Sequence, residues 1–179
     1  MMPTMKISMH PAVTVDGFIA DLNGECYSWI NPADESRYEQ DRRTIGCELV
    51  GRKTYTQYQE SYDAATDFVT FVYTHQRTFI DRPGVKFVHG SPAEVVEKIA
   101  SYGFSELIFS GGGELNGLMA SAGLIDEMRL SIHSVVLGRG IPLFGSYKPK
   151  LSLKLASTEQ ISGGVVENCY TVLKFESPS

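Results

Sequence analysis

Phe109-Ser110-Gly111-Gly112-Gly113-Glu114-Leu115 is the segment of this sequence best suited to chemistry. An apolar stretch runs into three consecutive glycines and then into a helical pattern. Without Cβ atoms, backbone can come close to a ligand, and the helix start offers unpaired N–H groups to a phosphate. Tight packing alone would also explain the glycines, since such turns are common in α/β proteins. They do not form the dinucleotide fingerprint of a first βαβ unit, which spaces its glycines differently.

Gly51-Arg52-Lys53-Thr54 is a second turn of this kind. Arg52 and Lys53 can meet phosphate, and the Thr54 N–H and hydroxyl can donate to it. A solvated pair of cations is the plainer reading of these residues alone. Thr74-His75-Gln76-Arg77 ends a third strand. In an open α/β sheet the C-terminal ends of the parallel strands share one edge, where ligands bind. Three such turns on one edge suit a dinucleotide.

The elements that must position these turns alternate. Ile7 to Val15 reads as a first strand, and a helix starts near Asn31 to Asp34 and runs to Ile45. Strands are predicted at Glu48 to Val50, Phe68 to Tyr73 and Val85 to Val88. Ser91-Pro92-Ala93-Glu94 opens a helix with a serine cap, proline at the first position and glutamate three residues after the cap. Glu106 to Ser110 is a buried-looking strand, with a helix from Glu114 to Ala122. Ile125 to Leu137 is a long strand, and Leu151 to Thr158 and Val165 to Phe175 flank a Ser162-Gly163-Gly164 turn. The pattern predicts an α/β domain over residues 1–179, in three αβα layers, whose mixed and mostly parallel sheet ends in a C-terminal antiparallel hairpin.

The 179 residues carry a formal net charge of −5 and no polybasic run, which argues against nucleic acid as the main partner. No apolar run approaches the ~20 residues of a membrane span, and the N-terminus lacks a signal peptide's apolar region. The expected address is the cytoplasm. Cys26, Cys47 and Cys169 fit no zinc or disulfide spacing and read as reduced thiols. His75, His89 and His133 have no second ligand at metal spacing, so no metal is expected. His133 shares a strand face with Arg129 and Ser131; that unusually polar face reads as a hydrogen-bonded structural histidine or as a lining of the substrate cleft.

The ordered set Thr14-Val15-Asp16-Gly17-Phe18-Ile19-Ala20, Gly51 to Tyr55, Gly111 to Leu115, Gly123 to Glu127 and Leu137 to Phe144 resembles the C-terminal reductase domain of bifunctional riboflavin biosynthesis proteins. That family shares the dihydrofolate-reductase-like fold, and the resemblance spans about residues 6–175. It implies NADPH as cofactor, with Ala12, Val13, Thr14 and Ile19 beside the nicotinamide. Gly51, Arg52, Lys53 and Thr54 would grip phosphates. Thr74, His75, Gln76 and Arg77 would lie near the adenosine 2′-phosphate. Ser110, Gly111, Gly112, Gly113, Glu114 and Leu115 would clasp the pyrophosphate. It further implies a cis peptide between Gly111 and Gly112, and a homodimer built through the C-terminal hairpin and the Leu137 to Phe144 loop. Ser134 departs from the family, standing where a proline often precedes that loop.

Trp29 and Pro32-Ala33-Asp34 resemble the tryptophan and the Pro-Ala-Asp triplet of dihydrofolate reductase, where the aspartate helps protonate the substrate. Asp34 is therefore one candidate acid, with a helix cap as its plain alternative. Asp16 is the other, with a turn-forming aspartate as its alternative. Trp29, Ser131 and His133 are the substrate-side candidates. The expected function is an NADPH-dependent reductase acting on a small heterocyclic, carbonyl or imine compound, similar to a 5-amino-6-(5-phosphoribosylamino)uracil reductase. Two alternatives stay open: a dihydrofolate or pterin reductase, and a non-catalytic NADP(H)-binding module.

Overall fold

The computed structural model describes residues 5–109 and 111–174. Five parallel strands run from the middle of its sheet to one edge: β1 (Lys6–Met9), β4 (Cys47–Gly51), β5 (Val69–Tyr73), β6 (Val85–Val88) and β7 (Glu106–Phe109). Beside β1 lie β8 (Glu127–His133) and the hairpin β10 (Ser152–Ile161) and β11 (Val165–Leu173), giving the order β10-β11-β8-β1-β7-β4-β5-β6. Only β10–β11 and β11–β8 in this path run antiparallel. The central strands are buried on both faces, so runs such as Leu107-Ile108-Phe109 read as unbroken apolar stretches.

Alternation along each strand divides the side chains between two helical layers. Leu49, Phe71 and Phe109 point into one core with Val95 and Ile99 of α4 (Pro92–Ala100) and Leu115 and Met119 of α5 (Gly113–Ser121). Val50, Val72 and Val85 face the other way, onto Tyr55 and Tyr62 of α2 (Arg52–Gln57) and α3 (Gln59–Ala64). The start of α4 is the capping box its sequence predicts: Ser91 Oγ accepts from Glu94 N while Glu94 accepts from Ser91 N.

The first helix, α1 (Pro32–Ile45), meets the sheet through polar groups instead. Arg42 reaches the fully buried Glu48 at 3.2 Å, and Tyr38 donates to the same carboxylate at 3.1 Å. Asp41 accepts from Arg129 at 2.7 Å and lies 3.3 Å from His10. Such pairs must be mutually satisfied, because leaving one member unpaired and buried is strongly destabilising.

Several expectations need correction. The strand expected over Ile7 to Val15 is two strands, β1 and β2 (Ala12–Thr14), both parallel to β8. Pro11 separates them, since it has no N–H to continue the ladder. The strand expected to Leu137 stops at His133, where a tight turn sets Val135 N on His133 O at 2.7 Å. Helices α2 and α3 and the two-residue strand β9 (Ile141–Pro142), paired with β3 (Phe18–Ala20), were not foreseen. No cis peptide occurs among the described residues, so Gly111–Gly112 is trans. Gly112 has φ −62 and ψ 164, ordinary extended values for a residue capping a helix start, and presents the α5 N–H groups without an isomerised bond.

Candidate active-site cleft

The cleft arises where the sheet forks. His10 N bonds Phe109 O at 3.0 Å, the last rung between β1 and β7. Beyond it the chain continues as β2 along β8, while β7 gives way to the glycine turn and α5. A space of about 990 Å³ opens in the fork. That is at the upper end of the ~300–1,000 Å³ of ligand pockets, room for an extended ligand.

All three strand-end turns reach it. Gly51, Arg52, Lys53 and Thr54 line one side, Thr74 and His75 another, and Gly111 to Leu115 a third. Ala12 and Ile19 line it from the first part of the chain. Ser110 lies outside the described residues. Gln76 and Arg77 are not among the lining residues; Gln76 N donates to Thr74 Oγ1 at 3.1 Å, which turns the chain away after His75. Val13 and Thr14 are buried and support the wall from behind, Thr14 by accepting from Phe18 N at 3.0 Å.

The glycines divide their work. A Cβ on Gly112 would lie 3.6 Å from Thr54 Oγ1, so this glycine faces the Arg52 turn across the cleft. A Cβ on Gly113 would come within 2.6 Å of Gly145 N and Pro142 O, and one on Gly117 within 2.4 Å of Phe144 O. Gly113 and Gly117, one turn apart on α5, thus form a small-residue face on which the Pro142–Tyr147 loop sits. Glu114 spends its carboxylate on the same loop, accepting from Ser146 N and Oγ at 2.9 Å each.

The candidate acids and the other substrate-side residues lie apart from the lining. Asp34 is 8% exposed and accepts from Ser131 Oγ at 2.6 Å, with His133 Nε2 3.6 Å from its other oxygen. Trp29 stands edge-on to His133 with ring centroids 5.2 Å apart. The structure therefore brings Trp29, Asp34, Ser131 and His133 together, but none of them lines the cleft. The α1 cap is Asn31, whose side chain accepts from Ala33 N at 2.9 Å, and not Asp34. Asp16 is exposed in its turn. Thr14 Oγ1 donates to it at 2.6 Å and the Gly138 and Leu137 N–H groups at 2.7 and 3.3 Å, which hold its carboxyl below the usual range. Asp16 ties the β2–β3 turn to the loop after β8. Ser134 Oγ reaches Gly164 O at 2.7 Å, so the residue that departs from the family fastens the hairpin turn.

A further wall escaped sequence reasoning. Leu22, Asn23, Gly24, Cys26 and Ile30 line the cleft opposite Gln57 and Tyr58, and Tyr147 closes another side. The only available signal was the run of turn-forming residues Asp21-Leu22-Asn23-Gly24 beside a strand, which marks a loop but no ligand.

Residues 5–167 match the RibD C-terminal domain family. The chain belongs to that family. An uncharacterized Bacillus subtilis protein, YyaP, is 32% identical over 178 residues, covering 92% of this chain and 94% of its own. A putative riboflavin biosynthesis protein from Shewanella sp. PV-4 superposes with a TM-score of 0.79 at 24% identity, covering 95% of this chain and 100% of that one. The Thermotoga maritima diaminohydroxyphosphoribosylaminopyrimidine deaminase/5-amino-6-(5-phosphoribosylamino)uracil reductase gives 0.78 at 15% identity, over 95% of this chain and 57% of that one. Enterococcus faecalis dihydrofolate reductase, solved with NADP(H) and RAB-propyl, gives 0.71 at 16% identity, over 97% and 99%. This RibD C-terminal domain relative has the dihydrofolate-reductase-like fold. No helix among its described residues is long and apolar enough to cross a membrane.

Proposed function

We propose that the chain is an NADPH-dependent reductase that passes hydride to a small heterocyclic, carbonyl or imine compound. One observation carries this reading: the turns at Gly51–Thr54, Thr74–His75 and Gly111–Leu115 open on a single cleft at the fork of the sheet. The donor chemistry fits a dinucleotide. Arg52 and Lys53 bring positive charge, Thr54 a hydroxyl, and the Gly112 cap an approach that no Cβ obstructs. Bound NADPH would supply the hydride. Arg52 and Lys53 would hold its phosphate charge, Ala12 and Ile19 would wall the nicotinamide, and the Pro142–Tyr147 loop, which lines the same cleft, would help keep water out. Family membership and the NADP(H) complex of the Enterococcus relative support the same assignment.

The exposed ten-residue edge strand β10 supports a homodimer, because unpaired strand edges tend to be covered. Calorimetry with NADPH and NADH, followed by loss of NADPH absorbance with a substrate panel, tests the proposal. NADPH binding together with turnover supports a reductase. Binding without turnover of any panel member favours the non-catalytic module, and failure to bind NADPH overturns both.

A further inference from the structure

Building on the reductase reading, we propose that the half of the cleft beyond the cofactor turns takes an uncharged, phosphate-free ring compound as the molecule to be reduced. Among the described residues, the charged side chains lining the cleft are Arg52, Lys53 and Glu114. All three stand on the glycine turns or the first turn of α2 or α5, and Glu114 is engaged with Ser146. The opposite half is built from Leu22, Cys26, Ile30 and Tyr58, with the amides of Asn23 and Gln57. Gln57 lies five residues along from Arg52, about 7.5 Å further down the helix axis at the α-helical rise.

This second wall is fixed before any ligand arrives. Asp21 Oδ1 accepts from Asn23 N at 2.8 Å and Glu25 N at 2.9 Å, and Glu25 accepts from Ser28 N at 2.9 Å and Ser28 Oγ at 2.7 Å. Across the gap, Gln57 Nε2 donates to Gly24 O at 3.3 Å and to Tyr58 Oη at 2.9 Å. Tyr27 stands edge-on to Tyr58 with centroids 5.2 Å apart. Leu22 remains 64% exposed at the rim, an apolar surface left for a partner to cover.

The electrostatics of this half oppose an anion. Burial first, then the carboxylate of Glu25 and those of Glu35 and Asp21, push the Cys26 thiol up to about 11, so it stays neutral. Burial and the neighbouring Cys26, Tyr27 and Glu25 raise the Tyr58 hydroxyl to about 12. A substrate phosphate would meet no cation here and three carboxylates nearby, whereas a neutral ring would meet aliphatic and aromatic faces and amide edges. The C=N or C=O bond of that ring gains hydride at carbon from the reduced dinucleotide and a proton from water at the heteroatom.

The test is calorimetry on the NADP⁺-saturated protein with pterin, lumazine and menadione, set against 5-amino-6-(5-phosphoribosylamino)uracil. At least one uncharged ring should bind more tightly than the phosphorylated pyrimidine, and Tyr58→Ala should weaken it about tenfold, the loss of a stacked aromatic contact. Gln57→Arg should strengthen binding of the phosphorylated pyrimidine about tenfold, by adding the charge-assisted contact the wall lacks. Tighter binding of the phosphorylated compound by the wild type, binding of none of the rings, or indifference of ring binding to Tyr58→Ala would each overturn the inference. Titration with NADPH alone keeps the two readings apart: its failure removes the reductase, whereas its success alongside any of those outcomes removes only the substrate class.

Discussion

Ser131 Oγ donates a 2.6 Å hydrogen bond to Asp34 Oδ1, joining residues 97 apart in sequence and fixing the start of α1 to β8. The other Asp34 oxygen faces His133. Ser131 is buried, 6% exposed, so removing the carboxylate leaves its hydroxyl without this partner, whereas His133 Nε2, at 3.6 Å, makes no hydrogen bond to lose. Asp34→Ala should cost about 2 kcal/mol in denaturant unfolding, while NADPH affinity stays within about twofold. A variant Asp34→Asn of unchanged stability that binds NADPH but has lost turnover would instead establish Asp34 as the proton donor.

Asp41 makes acid stability readable. Burial pushes its carboxyl up, but the His10 hydrogen bond and the Arg129 guanidinium outweigh this and hold it below the usual 3.8. The folded protein releases this proton more readily than the unfolded chain, so ionised Asp41 adds stability above about pH 4 and that share is lost as the pH falls through the depressed value. The stability advantage of wild type over Asp41→Asn should therefore shrink below about pH 4 in urea titrations run across pH. An advantage that stays constant through acid refutes the assignment.

Gly112, the cap of α5, and Gly117, inside that helix, should respond differently to a methyl group. A methyl at Gly112 meets only ordinary contact with Thr54, so Gly112→Ala should fold normally and weaken NADPH about tenfold by filling the mouth of the cradle. Gly117→Ala drives a methyl into Phe144 O and Tyr147 and should cost about 1–3 kcal/mol by overpacking. Thermal unfolding and calorimetry on the pair check both, and a Gly112→Ala protein that binds NADPH as wild type would move the pyrophosphate elsewhere.

Arg52 and Arg77 are the arginines suited to hold a 2′-phosphate bidentately, and Arg52 lines the cleft while Arg77 does not, so discrimination between the two dinucleotides should rest on Arg52. Its replacement by alanine should cost NADPH about 1.5 kcal/mol, roughly tenfold in affinity, and leave NADH nearly unaffected. Equal wild-type affinities for NADPH and NADH would refute the preference.

Local signals explain what the sequence made legible. The Ser91–Glu94 box, the glycine run after Phe109 and the apolar parallel strands each announce themselves within a few residues, and they carry the layers, the sheet and the glycine-turn side of the cleft. Gln57 and Tyr58 were hidden because α2 and α3 are six residues each, too short for a clear helical period. Tyr147 reaches the cleft only because Gly113 and Gly117 let its loop lie against α5, a relation between residues far apart in sequence. Arg77, which the resemblance places near the adenosine 2′-phosphate, is not among the residues that line the cleft.

Among the described residues, none from Asp21 to Asn31 belongs to either apolar core cluster. The loop that bears Leu22, Asn23 and Cys26 closes on itself through Asp21 and Glu25, whereas Gly51, Thr74 and Gly111 sit at the ends of core strands or just beyond them. Mutation can therefore rewrite the Leu22, Asn23 and Cys26 side of the cleft at little cost to folding, while the side built by the strand-end turns is inherited with the scaffold. Under the proposed function, a lineage carrying this fold can exchange one substrate for another through a few changes in that loop, with the dinucleotide site left in place.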